Sequence, residues 1–147
     1  MQEADTIFSH AAICVTDLEK STRFYVEAFG LEFNHNVDVT PPFHILTELP
    51  DINGRATFFM KNGTKIELVE YATPEMIGPA QRRPMNQLGL THIAFVVADL
   101  DATIANIVGL GGDALQHTRV SGPFGRMIFC TDPDGVRLEI WEKPVEG

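Results

Sequence analysis

The stretch "THIAFVVADL" at residues 91–100 is a second writing of "SHAAICVTDL" at residues 9–18. Both run hydroxyl, His, five apolar or small residues, a short break, then Asp-Leu. His10 and His92 stand 82 positions apart, and so do Asp17 and Asp99. Such a repeat divides the chain into units and so precedes the reading of any single motif. After each Asp-Leu, apolar residues recur at helical spacing: Leu18, Phe24, Tyr25, Ala28 and Phe29 in one copy, Leu100, Ile104, Ile107 and Val108 in the other. Asp17 and Asp99 are expected N-caps, accepting from free amides of the first turn. Gly30 and Gly112, again 82 apart, are expected as left-handed residues just past the helices.

Strand patterns follow in both copies. "LEFNHNV" (31–37) corresponds to "DALQHTR" (113–119), and "RATFFMKNGTKIELVEY" (55–71) to "RMIFCTDPDGVRLEIWE" (126–142). Asn62-Gly63 and Asp134-Gly135 supply tight turns between alternating runs. Here the offset is 72, so the first copy carries about ten extra residues, within "TPPFHILTELPDING" (40–54). The expected fold class is α+β: two tandem βαβββ modules whose eight strands form a partly open, barrel-like sheet around a cavity. Module 1 covers about residues 8–71, a Pro- and Gly-containing linker covers 72–89, and module 2 covers about 90–142. A module of about 65 residues buries too little surface to be comfortable alone, so 1–147 is expected to be one domain.

The bulk composition narrows the function class. A net charge of −9 argues against a phosphate-backbone partner, which needs a basic face. No apolar run approaches the roughly 20 residues of a membrane helix. "MQEADTIF" lacks a basic segment followed by an apolar one, so no signal peptide is expected. Two cysteines, Cys14 and Cys130, cannot make a disulfide framework. The expectation is a cytoplasmic protein that handles a small molecule and binds neither nucleic acid nor membrane.

Strand parity picks out the residues that face the cavity. Ile13 and Val15 oppose His10, Ala12 and Cys14; Ile93, Phe95 and Val97 oppose His92, Ala94 and Val96. In "GTKIELVE" (63–70), Ile66 and Leu68 oppose Lys65 and Glu67; further on, Leu138 and Ile140 oppose Arg137, Glu139 and Trp141. The bulky set is expected to pack under the helices. The other set presents one His or one Glu per strand: His10, Glu67, His92 and Glu139. Each alone has an ordinary explanation, a satisfied strand-end His or a surface Glu paired across strands. Four at pseudo-equivalent places have the look of a metal site. Two imidazoles and two carboxylates suit Zn, Ni, Co, Mn or Fe as divalent ions, and the carboxylates balance the charge. Cys14 has no counterpart in the repeat and is expected to be a buried thiol. His35 and His117 are candidates to line the cavity, and His44 is expected on a solvated loop.

Over about residues 8–142 the chain resembles the vicinal oxygen chelate superfamily, which includes glyoxalase I, methylmalonyl-CoA epimerase, extradiol dioxygenases and the fosfomycin and bleomycin resistance proteins. "SHAAICVTDLEKSTRFYVEAFGLEF" is similar to the opening module, "LTHIAFVVADLDA" to the start of the second, and "FCTDPDGVRLEIWE" to the closing hairpin. The resemblance implies that His10, Glu67, His92 and Glu139 are the metal ligands. Glu at the second position is the glyoxalase I-like choice; the epimerases typically carry Gln there. The long linker, with Arg82, Arg83 and Pro84, is more like the epimerase-type members. The implied activity is proton transfer next to a carbonyl, as a glyoxalase I-like lyase or an epimerase or isomerase. Glu139 is expected to be the first base and Glu67 its partner. The alternatives are an extradiol-type dioxygenase, which a fourth protein ligand disfavours, and a metal-free binding or resistance protein. Exposed strand edges make a homodimer the expected state. The insertion and linker are expected to shape the cavity mouth, with Phe43, Ile45 and Leu46 as apolar contacts and Arg82, Arg83 and Arg126 as partners for an acidic group.

Overall fold

The computed structural model describes residues 5–146. The eight expected strands are present as two four-stranded sheets of identical order. The first contains β1 (Ala11–Cys14), β2 (Glu32–Val39), β3 (Asn53–Lys61) and β4 (Thr64–Thr73), in the order β1-β4-β3-β2. The second contains β5 (Ile93–Val97), β6 (Asp113–Gly122), β7 (Gly125–Thr131) and β8 (Arg137–Glu142), in the order β5-β8-β7-β6. The first strand of each sheet pairs in parallel with the last; the other pairs are antiparallel. A parallel pair needs a long crossover. The helix, second strand and hairpin of each repeat supply it.

Among the described residues three helices accompany the sheets: α1 (Leu18–Phe29), α2 (Phe43–Thr47) and α3 (Leu100–Gly109). α2 was not expected. It is one short turn inside the insertion, closed by Thr47 Oγ1 donating to the Phe43 carbonyl at 2.8 Å. Its residues Ile45 and Leu46 are exposed.

The chain divides into two compact units, Met1–Leu18 with Leu31–Ile77, and Glu19–Gly30 with Gly78–Gly147. Most of α1 therefore packs with the second sheet. The Tyr25 hydroxyl donates to Asp132 Oδ2 at 2.9 Å, and Phe29 stacks on Phe95 with centroids 3.8 Å apart. Of the bulky parity set, Ile13, Val15, Ile66 and Leu68 are buried in one unit and Leu138 and Ile140 in the other, while Ile93, Phe95 and Val97 on β5 are only half-buried. Each such side chain contributes about 1.5–3 kcal/mol when removed from water.

The local signals sort by cause. Asn62 and Gly63 both take positive φ, 50° and 78°, as a two-residue hairpin turn requires. Asp99 caps α3, its Oδ1 accepting from the Ala102 amide at 2.9 Å. Gly30 is left-handed, at φ 66°. α3 departs from the expectation: the left-handed residue after it is Gly111, at φ 93°, not Gly112. Gly112 is glycine for another reason. A Cβ there would lie 2.4 Å from the Thr131 carbonyl oxygen, 2.8 Å from Ile107 and 2.9 Å from Phe24.

Candidate functional site

In the first unit, Ala12 on β1 is in register with Glu67 on β4, and Phe58 on β3 is in register with the same Glu67. In the second, Ala94 on β5 is in register with Glu139 on β8, which Phe129 on β7 flanks in turn. Each His stands one residue before its strand, two residues ahead of the alanine and on the same side of the chain. The small alanine leaves room for the imidazole to reach the carboxylate.

That reach is made twice. His10 Nε2 lies 3.1 Å from Glu67 Oε2, and His92 Nε2 lies 3.4 Å from Glu139 Oε2. The other ring nitrogen is also engaged in both copies. Ser9 Oγ is 2.8 Å from His10 Nδ1, and Thr91 Oγ1 is 2.8 Å from His92 Nδ1. The hydroxyl that opens each repeat thus fixes the ring. When it accepts from Nδ1–H, the Nε2 lone pair is left to face the carboxylate side. An aromatic edge completes each pair: His10 meets Phe58 at 5.0 Å and 81°, His92 meets Phe129 at 5.3 Å and 78°. His10, Glu67, His92 and Glu139 are 34%, 18%, 27% and 22% exposed in their side chains, which leaves them accessible from one side.

The four predicted ligands thus form two His–Glu pairs, one in each unit. Among the described residues, no group of three or more His, Cys, Asp or Glu stands together. Each pair by itself offers an imidazole nitrogen and a carboxylate oxygen, donor types that a divalent ion takes. Two ligands at bonds of about 2.1 Å lie about 3.0 Å apart along an octahedral edge and about 3.4 Å along a tetrahedral one. Both observed separations fall in that span.

Other expectations are corrected by their surroundings. Cys14 is exposed, because its strand face is the open one; Cys130 is the buried thiol, with its pKa pushed up to about 11 by burial. Arg126 is committed elsewhere: it bonds Glu142 Oε1 and Oε2 at 3.0 and 2.7 Å and Asp101 Oδ2 at 2.9 Å. Glu142 Oε2 also accepts from the Leu100 amide at 2.7 Å, and Glu70 Oε2 accepts from the Leu18 amide at the same distance. Glu70 and Glu142 are 72 apart, so the repeat frame that found Glu67 and Glu139 marks them too. They anchor the starts of α1 and α3, where a carboxylate meets free amides and the positive helix end. His35 stacks on Phe58 at 4.4 Å and so extends the ring contacts that start at His10. An open cavity of about 340 Å³ lies among Gln81, Arg82, Gly112, Asp113, Asp132 and Gly135, and none of the four predicted ligands lines it.

The model of the Glyoxalase/Bleomycin resistance protein/Dioxygenase superfamily matches residues 7–140, the whole span of both His–Glu pairs. The chain belongs to this superfamily. Among the superfamily's proteins, it is 29% identical to a 2-epi-5-epi-valiolone epimerase from Actinomyces sp., over 92% of this chain and 78% of that one. It is 30% identical to a lactoylglutathione lyase-like protein of Aspergillus terreus, over 98% of this chain and 80% of that one. A glyoxalase family protein from Bacillus cereus superposes with a TM-score of 0.83 at 20% identity, covering 96% and 98% of the two chains. A fosfomycin resistance protein from Listeria monocytogenes, in complex with Mn(II) and sulfate, superposes at 0.61 with 22% identity, covering 95% and 94%. These two structural likenesses speak to the superfamily fold. Among the described residues, no helix is long and apolar enough to cross a membrane.

Proposed function

We propose that this protein is a divalent-metal-dependent enzyme that transfers a proton at the carbon next to a carbonyl, as a glyoxalase I-like lyase or an epimerase or isomerase. His10, Glu67, His92 and Glu139 together hold the ion, which is Zn, Ni, Co, Mn or Fe. The observation that carries the proposal is the His–Glu pair built twice in one register, with a hydroxyl on each Nδ1.

A bound divalent ion supplies Lewis acidity to a substrate carbonyl. The chain supplies the rest. Ser9 and Thr91 orient the imidazoles so that His10 and His92 act as ligands and not as bases. Glu139 takes the proton from the carbon, and Glu67, its equivalent in the other sheet, returns one. Phe58 and Phe129 flank the carboxylates and limit water beside them, so that a proton is held for return rather than lost. The epimerase and lyase-like relatives are proteins named for chemistry of this kind. The protein works as a cytoplasmic homodimer on a small-molecule substrate.

The test is deuterium incorporation. Metal-loaded protein is incubated in D₂O with α-hydroxy-ketone, hemithioacetal and 2-acyl thioester substrates, and the carbon beside the carbonyl is followed by NMR. Exchange that disappears in Glu139→Gln or Glu67→Gln supports the proposal. Turnover unchanged in both variants, or oxygen consumption with a catechol, contradicts it.

A further inference from the structure

Arg137 lies on β8 two residues before Glu139, so the two side chains leave the same face of the strand about 6–7 Å apart. Its guanidinium lies over the Phe129 ring, 5.1 Å from the centroid. Phe129 is the ring that flanks Glu139 and meets His92 edge-on. Arg137 Nη2 donates to the Arg83 carbonyl at 2.9 Å, while Nε is buried and has no partner. A guanidinium presents Nε–H and an Nη–H as parallel donors along one edge, the fork that a carboxylate or phosphate accepts with two oxygens. Here a backbone carbonyl supplies one oxygen at most, and a buried donor is left unsatisfied, a cost the protein otherwise avoids.

The charge balance points the same way. This chain has 20 acidic and 11 basic residues. Yet among the described residues no carboxylate lies within ion-pair distance of Arg82, Arg83 or Arg137. Arg82 adjoins Arg83, whose carbonyl meets the Arg137 guanidinium. In an acidic protein, adjoining arginines without a counter-ion make a site that an anion completes.

We infer that Arg137, supported by Arg82, binds an oxyanion of the substrate, a carboxylate or a phosphate, with one oxygen on the unpartnered Nε–H and the other on Nη2 in place of the Arg83 carbonyl. The Phe129 face holds the guanidinium in place, which fixes the anion at a set distance from the Glu139 carboxylate. The substrate class is then an anionic carbonyl compound. The anion site stands on its own geometry; its service to catalysis rests on the function proposed above.

The experiment separates the two. EDTA-treated full-length protein is titrated with malonate and with inorganic phosphate at constant ionic strength, against chloride, by thermal shift and by ¹⁵N-NMR. Saturable shifts of Arg137 and Arg82 resonances are expected, and affinity falls at least tenfold in Arg137→Lys, which keeps the charge but loses the fork. Arg82→Gln, at an exposed position, weakens binding without touching the core. Glu139→Gln, which removes a like charge from beside the site, binds the anion at least as tightly as wild type, even if no metal or turnover is ever found. A preference for malonate assigns a carboxylate and a preference for phosphate a phosphate. No saturable binding beyond chloride, or binding unchanged in both Arg137→Lys and Arg82→Gln, overturns the inference.

Discussion

The Thr91 hydroxyl holds His92 Nδ1 at 2.8 Å, so the orientation of the imidazole is set by the residue just before it in the chain. Ser9 does the same for His10 at the same distance. A neighbour one residue away cannot drift far from the ring, so the strand's approach and the ring's orientation are specified together. Thr91→Ala and Ser9→Ala are expected to weaken divalent-metal binding about 10- to 100-fold each while leaving the fold intact. Competition with a chelator of known affinity, alongside circular dichroism, measures this. Equal affinity in both variants would remove the positioning role.

Gly112 and Gly109 separate two reasons for glycine. Gly112→Ala places a Cβ 2.4 Å from the Thr131 carbonyl, a backbone atom that cannot swing away. The expected cost is about 2 kcal/mol or more, or roughly 6 °C in Tm. Gly109 ends α3 with open space around its Cα. Gly109→Ala is expected to be neutral or stabilising by up to about 1 kcal/mol. Paired thermal melts test the contrast, and equal melting temperatures would contradict it.

Much of this architecture was legible because it is written twice. One copy of "THIAFVVADL" is an ambiguous strand; two copies fixed the modules, the hairpin turns and the parity that brings each His to its Glu. Ser9 and Thr91 were visible as the hydroxyl opening each copy, but a hydrogen bond between adjacent residues leaves no spacing pattern to assign it a role. Glu70 and Glu142 share the repeat offset and could have been found by the same comparison as Glu67 and Glu139. Gly112 could not: a close approach by Thr131, Ile107 and Phe24 depends on three distant segments. Arg126 reads as a partner for an acidic substrate group because its own partners, Asp101 and Glu142, are 25 and 16 residues away. The packing of α1 with the second sheet is likewise invisible to a repeat, which reports likeness between copies and not which copy a helix covers.

Asp132 sets an unusual limb of the pH profile. Burial pushes its carboxyl up to about 6, against the opposing pull of hydrogen bonds from Tyr25 and the Val136 and Asp134 amides. The folded protein then holds more protons than the unfolded chain between the ordinary carboxylate value and about 6, so stability falls as pH rises through that window. Asp101, hydrogen-bonded by Arg119 and Arg126, and Glu142, hydrogen-bonded by Arg126 and the Leu100 amide, are held below their usual values. Their contribution runs the other way, present above the ordinary carboxylate value and lost as pH falls below it. Asp132→Asn is expected to remove a decline of up to about 3 kcal/mol between pH 4 and 6. Urea unfolding across pH 4–7 reads it; a profile parallel to wild type would contradict the assignment.

Strands β1 and β2 are the edges of one sheet, and β5 and β6 of the other. Unpaired edges of this kind are commonly covered by a second chain. A homodimer is expected by light scattering at micromolar concentration, and a monomer there would remove it.

His10–Glu67 and His92–Glu139 are expected to act as one metal site rather than as two unrelated ion pairs. Metal content per chain of untagged protein, dialysed to equilibrium with a single divalent ion, separates the two cases. One tightly bound ion per chain is expected in wild type, with near-complete loss in both His10→Ala and His92→Ala and weakened but measurable binding in Glu67→Gln. An ion count that only halves when one histidine is removed, or no bound transition metal at sub-millimolar concentration, would contradict it.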